Sequence, residues 1–201
     1  SIYAAKQRLA GKARETPILS SPFLDEIAGR RVLVKAECLQ HTGSFKFRGA
    51  WSAISNLTHE ALSKGVLAYS SGNHAQGIAA VAKTFGSPAI IVMPSDAPKS
   101  KIENTKALGA EVILYDRRNE QREIIGAKIA KNRDLTLIKP YDNNDVIAGQ
   151  GTLGLELGEQ LSKCSVRNAD VLVCCGGGGL SAGIAIALND IAPNLKVRTC
   201  E

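Results

Sequence analysis

Short apolar runs, each followed by a stretch of helical periodicity, constrain this chain more than any other feature. GVLAYS at 65–70, PAIIVMP at 88–94, AEVILY at 110–115 and ADVLVCC at 169–175 are apolar nearly throughout, not at every second residue. A strand wetted on one face alternates, whereas one covered on both faces does not. RVLVKAE at 31–37, LTLIK at 135–139 and LKVRTC at 195–200 complete the expected strands. Helices are expected between them, over 45–55, 74–85, 98–108, 120–132, 145–161 and 179–191. This alternation predicts an α/β fold of parallel strands with right-handed crossovers and helices on both faces.

The four-strand series from about Gly65 to Lys139 suggests a lobe inserted into a larger sheet. The expected division is a larger unit of 1–60 and 143–201 and a smaller inserted α/β unit of 61–142. Glu201 directly follows an expected strand, so a C-terminal part of the fold is expected to be missing.

Composition narrows the function classes. No apolar run approaches the roughly 20 residues of a membrane-spanning helix, and the N-terminus lacks a signal-peptide core. The net charge of +6 comes from scattered Lys and Arg, and only 4% of residues are aromatic. That reads as a solvated basic surface with sites for anionic ligands, not a nucleic-acid partner. The five cysteines include no C-x-x-C pair, and Cys174 and Cys175 sit in an apolar run, where Cys is usually a small core residue. Neither a disulfide framework nor a zinc site is expected, and a reducing cytoplasm is.

Three loops carry chemistry. HTGSFKFRGA (41–50) puts Lys46 at the opening of an expected helix. A surface lysine is the plain alternative, yet a cation is disfavoured at a helix N-terminus. Held against apolar surface and positive dipoles, it has a lowered pKa and can act as amine nucleophile or base. SSGNHAQG (70–77) also opens a helix, with Ser70, Ser71, Asn73 and His74 offering hydrogen-bonding groups around Gly72. An ordinary N-cap needs one such residue; four suit a bound carboxylate or phosphate. CCGGGGLSAG (174–183) follows a strand with four glycines, whose backbone can wrap a phosphate. The last loop also fits a dinucleotide fingerprint through Gly177, Gly179 and Ala182, with Glu201 near the acidic position. That reading leaves the first two loops unexplained.

As a set, GSFKFRGA, SSGNHAQG, VIAGQGT (146–152) and GGGGLSAG resemble the fold-type II pyridoxal 5′-phosphate (PLP) enzymes. The match is closest to the serine racemase and serine/threonine dehydratase family, which includes 3-hydroxyaspartate dehydratases, and runs from Thr16 to Glu201. The resemblance implies a three-layer parallel-sheet fold with a larger cofactor domain and a smaller inserted one. It implies a Schiff base between PLP and Lys46, with Phe45 against the cofactor ring and Asn73 on its phenolic oxygen. Gly176, Gly177, Gly178 and Gly179 would hold the phosphate; Ser70, Asn73 and His74 would seat the substrate carboxylate. Ser71 matches members that racemise serine, and some 3-hydroxyaspartate dehydratases. Glu201 matches a position that helps bind Mg²⁺ or Ca²⁺. KPYDNNDV (139–146) departs from the usual H-P-F-D-like pattern.

The implied activity is elimination of water, then ammonia, from L-serine, L-threonine or 3-hydroxyaspartate, giving a 2-oxo acid. Arg122 would bind a second carboxylate in the last case, or be a solvated helix residue. Racemisation through Lys46 and Ser71 on opposite faces, and a non-catalytic ligand-binding fragment, are the alternatives. The partners implied are a small amino acid and a second copy of the chain in a homodimer, with no nucleic acid and no membrane.

Overall fold

A computed structural model describes residues 1–201. The chain opens with α1 (Ile2–Leu9), capped by the Ser1 hydroxyl accepting from the Ala4 N–H. β1 (Ile18–Ser20), α2 (Pro22–Ala28) and β2 (Leu33–Lys35) follow, and two 3-10 turns, Glu37–Leu39 and His41–Gly43, lead into α3 (Lys46–Ile54). Next come α4 (His59–Lys64), β3 (Val66–Tyr69), α5 (Asn73–Thr84), β4 (Ala89–Pro94) and α6 (Lys99–Ala107). β5 (Glu111–Tyr115), α7 (Arg122–Asn132) and β6 (Thr136–Leu137) lead to α8 (Asn144–Lys163), β7 (Ala169–Cys174), α9 (Gly179–Ile191) and β8 (Leu195–Cys200).

The continuous apolar runs form a parallel sheet in the order β5-β4-β3-β6. Every residue of β3 and β4 is buried, as strands covered on both faces must be. β7 and β8 form a second parallel pair. Two expectations need correction. The run at 31–37 pairs only through Leu33–Lys35, and antiparallel, with β1. α2 ends at Gly29 in the left-handed conformation (φ 62°), and the chain turns back. The run at 169–175 is not covered on both faces: its burial alternates, and Leu172 is 72% exposed. Within residues 1–201, Cys174 is exposed and Cys175 half-buried.

Two cores flank the site. One gathers Ile54, Ile78, Ile91 and Met93 from α3, α5 and β4. The other gathers Leu153, Leu157, Val173, Ile184 and Leu188 from α8, β7 and α9. α3 and α8 join them by close backbone approach. A Cβ at Gly149 would lie 2.4 Å from the Arg48 carbonyl oxygen and 2.7 Å from the Gly49 Cα. Nothing larger than hydrogen fits there.

A buried ionic cluster fixes α3 in place. Arg48 is 2% exposed. It donates from Nε and Nη2 to the Glu37 carboxylate at 2.8 and 2.7 Å, and its Nη1 lies 2.9 Å from Glu156 Oε2. Lys35 pairs with Glu156, and the Thr16 hydroxyl donates to Glu37 at 2.6 Å. Burial pulls the Lys35 pKa down, and its bond to Glu156 opposes that fall. Such a cluster holds because each charge has a partner; removing one strands the others.

Candidate active site

Lys46 is the first residue of α3, whose N-terminus has no side-chain cap. Its Nζ donates to the Pro140 carbonyl at 2.7 Å and lies 5.3 Å from the Phe45 ring centroid. Burial pushes the Lys46 pKa down, and charge on Cys174 opposes it. The neutral amine is thus easier to reach than on an exposed lysine. The Phe45 ring packs against the second core. Just before it, Thr42 holds a left-handed conformation (φ 57°) uncommon for a non-glycine residue. The Thr42 and Ser44 hydroxyls are buried without a hydrogen-bond partner. Backbone strain and unpartnered buried hydroxyls concentrate at working sites. A left-handed threonine has no clear signal in the sequence, and this feature escaped it.

The second loop runs off the C-terminal end of β3. The Ser70 hydroxyl accepts from the Gly72 N–H at 3.2 Å. Gly72 is the N-cap of α5 and supplies no side-chain cap. The first-turn N–H groups of Asn73 and His74 therefore have no intrahelical acceptor. Ser71 and Asn73 are exposed. His74 is 2% exposed, with Nε2 donating to the Ile138 carbonyl at 3.1 Å. Burial lowers its pKa to about 4, so the ring is neutral near neutral pH. The imidazole is thus engaged in the interior, and the backbone N–H is the part of His74 at the helix terminus.

The third loop joins β7 to α9. Gly178 is left-handed (φ 81°) and caps α9 without a side chain. The first N–H groups of α9 are thus free of intrahelical partners. The segment 138–141 ties the three loops together. Ile138 accepts from His74, Pro140 accepts from Lys46, and the Tyr141 ring lies over Gly177, where a Cβ would come within 2.1 Å of it. Asn143 then caps α8, accepting from the Asp145 and Val146 N–H groups at 2.9 and 3.0 Å. The departure at 139–146 thus lies where the loops meet.

Ser70, Ser71, Tyr115, Arg117 and Arg122 line one small polar depression. Arg122, the first residue of α7, has its guanidinium 5.4 Å from the Tyr69 ring centroid and its Nε 2.7 Å from Glu123 Oε1. Its side chain is 37% exposed. A larger depression against Pro88, Gly109 and Leu135 lies at the opposite end of the sheet. Ligands of open α/β sheets bind at the carboxyl ends of strands, which favours the first. Glu201 is exposed, and no group of three His, Cys, Asp or Glu gathers to form a metal site.

Residues 9–201 match the family model described as pyridoxal-phosphate dependent enzyme. The chain belongs to that family.

Curated relatives of this PLP-dependent family member include an L-threo-3-hydroxyaspartate ammonia-lyase of Pseudomonas sp, 46% identical over 96% of this chain and 59% of its own length. A serine racemase of Schizosaccharomyces pombe is 43% identical over 98% of this chain and 59% of its own length. The solved structure of maize serine racemase superposes with a TM-score of 0.93 at 39% identity, over 100% of this chain and 60% of that one. The chain thus spans about three-fifths of the length of these relatives. The family implies PLP as the cofactor, not a dinucleotide. Gly177, Gly179, Ala182 and Glu201 have dinucleotide spacing, but the phosphate implied here is that of PLP. The residues fit that group: a half-buried amine beside a phenyl ring, unpartnered buried hydroxyls on Thr42 and Ser44 in the same loop, and an uncapped helix N-terminus preceded by glycines.

Proposed function

We propose that the protein containing this chain eliminates water, then ammonia, from a β-hydroxy amino acid, giving a 2-oxo acid. The observation that carries the reading is the run of contacts from His74 through Ile138, Pro140 and Lys46 to Tyr141 and Gly177. It brings an amine, an uncapped helix terminus and a glycine loop onto one segment, 138–141. Residues 61–142 act as the smaller unit, and 1–60 with 143–201 as the larger.

Lys46 would hold the cofactor covalently, with Phe45 against its ring, Asn73 on its phenolic oxygen and Gly176 to Gly179 around its phosphate. When bound, PLP withdraws electrons from the substrate Cα. The lowered pKa of Lys46 leaves its amine ready to take the Cα proton. The Ser70 hydroxyl and the first-turn N–H groups of α5 seat the substrate carboxylate. Arg122, beside Ser70 and Ser71, favours a substrate with a second carboxylate, so 3-hydroxyaspartate is the preferred member of the class. Glu201 supplies one carboxylate oxygen to Mg²⁺ or Ca²⁺. The working protein is a cytoplasmic homodimer.

The test is a visible absorption spectrum with added PLP, followed by borohydride reduction and peptide mapping. A new band with covalent attachment at Lys46 is expected, and attachment at another lysine would overturn the assignment. Arg122→Ala should then weaken turnover of 3-hydroxyaspartate more than that of serine; an equal loss removes the second-carboxylate role. Racemisation is the second reading, favoured by the exposed Ser71 beside that depression. Ser71→Ala should abolish racemisation and leave elimination, and retained racemisation would discard Ser71 as its acid–base group.

A further inference from the structure

Lys101 stands in the first turn of α6, a turn with no acidic residue and no side-chain cap from Pro98 before it. A cation there opposes the helix dipole, so α6 gains no stability from this lysine. Its side chain is laid along a neighbouring loop instead. A Cβ added at Gly72 would lie 3.0 Å from the Lys101 ammonium nitrogen, 3.8 Å from its Cδ and 4.0 Å from its Cε. The ammonium is therefore against Gly72, the N-cap residue of α5. The contact joins residues 72 and 101, whose helices α5 and α6 pack together, and it does not depend on solvent exposure.

Two other cations approach the same loop. Arg117 and Arg122 line the depression that includes Ser70 and Ser71. Each has a carboxylate: Arg117 Nε lies 2.8 Å from Asp96 Oδ1, and Arg122 Nε 2.7 Å from Glu123 Oε1. Within residues 1–201, Lys101 takes part in no ion pair. A full positive charge thus meets the positive end of the α5 dipole, which is repulsive. An anion seated there is attracted by both and reverses the sign of the arrangement.

We propose that Lys101 is a specificity-determining residue of the site, its ammonium selecting ligands that carry a free α-carboxylate. This rests on the reading above, in which the Ser70 hydroxyl and the first-turn N–H groups of α5 seat that carboxylate. Those groups donate to any oxygen, including that of a neutral amide. The ammonium discriminates, because its attraction needs the negative charge. Gly72 leaves room for it: a side chain there would meet the ammonium. The two carboxylates of a hydroxy diacid would then be sorted by different helices, the α-carboxylate by Lys101 of α6 and the second by Arg122 of α7.

The test compares L-serine with L-serinamide, which keeps the amine and the hydroxyl and carries a neutral amide in place of the carboxylate. Each is mixed by stopped flow with the full-length, PLP-loaded protein, and the absorbance change of bound PLP gives the affinity. Lys101→Met should weaken L-serine roughly tenfold, about 1.4 kcal/mol, and leave L-serinamide unchanged. Lys101→Arg keeps the charge and should retain most of the L-serine affinity. In turnover of L-serine, Lys101→Met should raise KM and hold kcat, as for a group that binds ground and transition states alike. Circular dichroism confirms folding of each variant. Equal losses for the two ligands, or unchanged L-serine affinity in Lys101→Met, would overturn the proposal alone. A natural protein that takes up PLP at Lys46 and shows no response to L-serine would remove the carboxylate seat as well, and the proposal with it.

Discussion

His74 ties the integrity of the second loop to proton concentration. Burial lowers its pKa from 6.5 to about 4. Its Nε2–H holds the Ile138 carbonyl, so the segment that carries Pro140 and Tyr141 depends on it. The unfolded chain takes up a proton on His74 below about pH 6.5, and the folded chain declines it until about pH 4. Because the folded pKa is the lower one, the stabilisation is complete above the unfolded value and is lost as pH falls through the window between them. Each unit of that window is worth about 1.4 kcal/mol. Between neutral pH and about pH 5 the loss integrates to about 2 kcal/mol. His74→Gln keeps an N–H donor for Ile138 but does not titrate. Urea unfolding followed by circular dichroism, at about pH 7.5 and pH 5, should show the natural protein losing about 2 kcal/mol more than the variant. His41, also lowered by burial, is present in both proteins and cancels. Equal pH dependence in the two proteins would refute the argument.

Two further substitutions test the frame around Lys46. Arg48→Met leaves Glu37 without a cationic partner and Glu156 with Lys35 alone, and urea unfolding should show a loss of about 3–5 kcal/mol; a loss under about 1 kcal/mol would mean that water already compensates the cluster. Gly149→Ala forces α8 away from the Arg48 carbonyl, and the same assay should show about 1–3 kcal/mol of destabilisation, with weaker PLP uptake in a spectral titration.

Sequence reading succeeded where local pattern carries the information. β3 and β4 are buried along their whole length, and their apolar continuity said so. Lys46, Gly72 and the four glycines sit at strand or helix ends, which periodicity locates well. β1 escaped because Ile18–Ser20 is three residues long and lies between Pro17 and Pro22. α1, α2 and α4 are likewise short and escaped notice. The pairing of Arg48 with Glu156 joins residues far apart in sequence, and nothing local announces it. Arg122 stands beside Ser71 only because α7 returns over β3 and β4. The apolar character of 169–175 implied more burial than β7 has, since apolarity records what a strand can bury and not what covers it.

The anchors supplied by Ile138 and Pro140 are main-chain carbonyls. No side-chain replacement deletes a carbonyl. Alanine scanning along 138–140 would therefore under-report the segment, with each single variant still presenting the same oxygens to His74 and Lys46. Sensitivity should instead follow the path of the backbone: an inserted or deleted residue shifts both acceptors together. In mutational terms the segment is robust to composition and brittle to length.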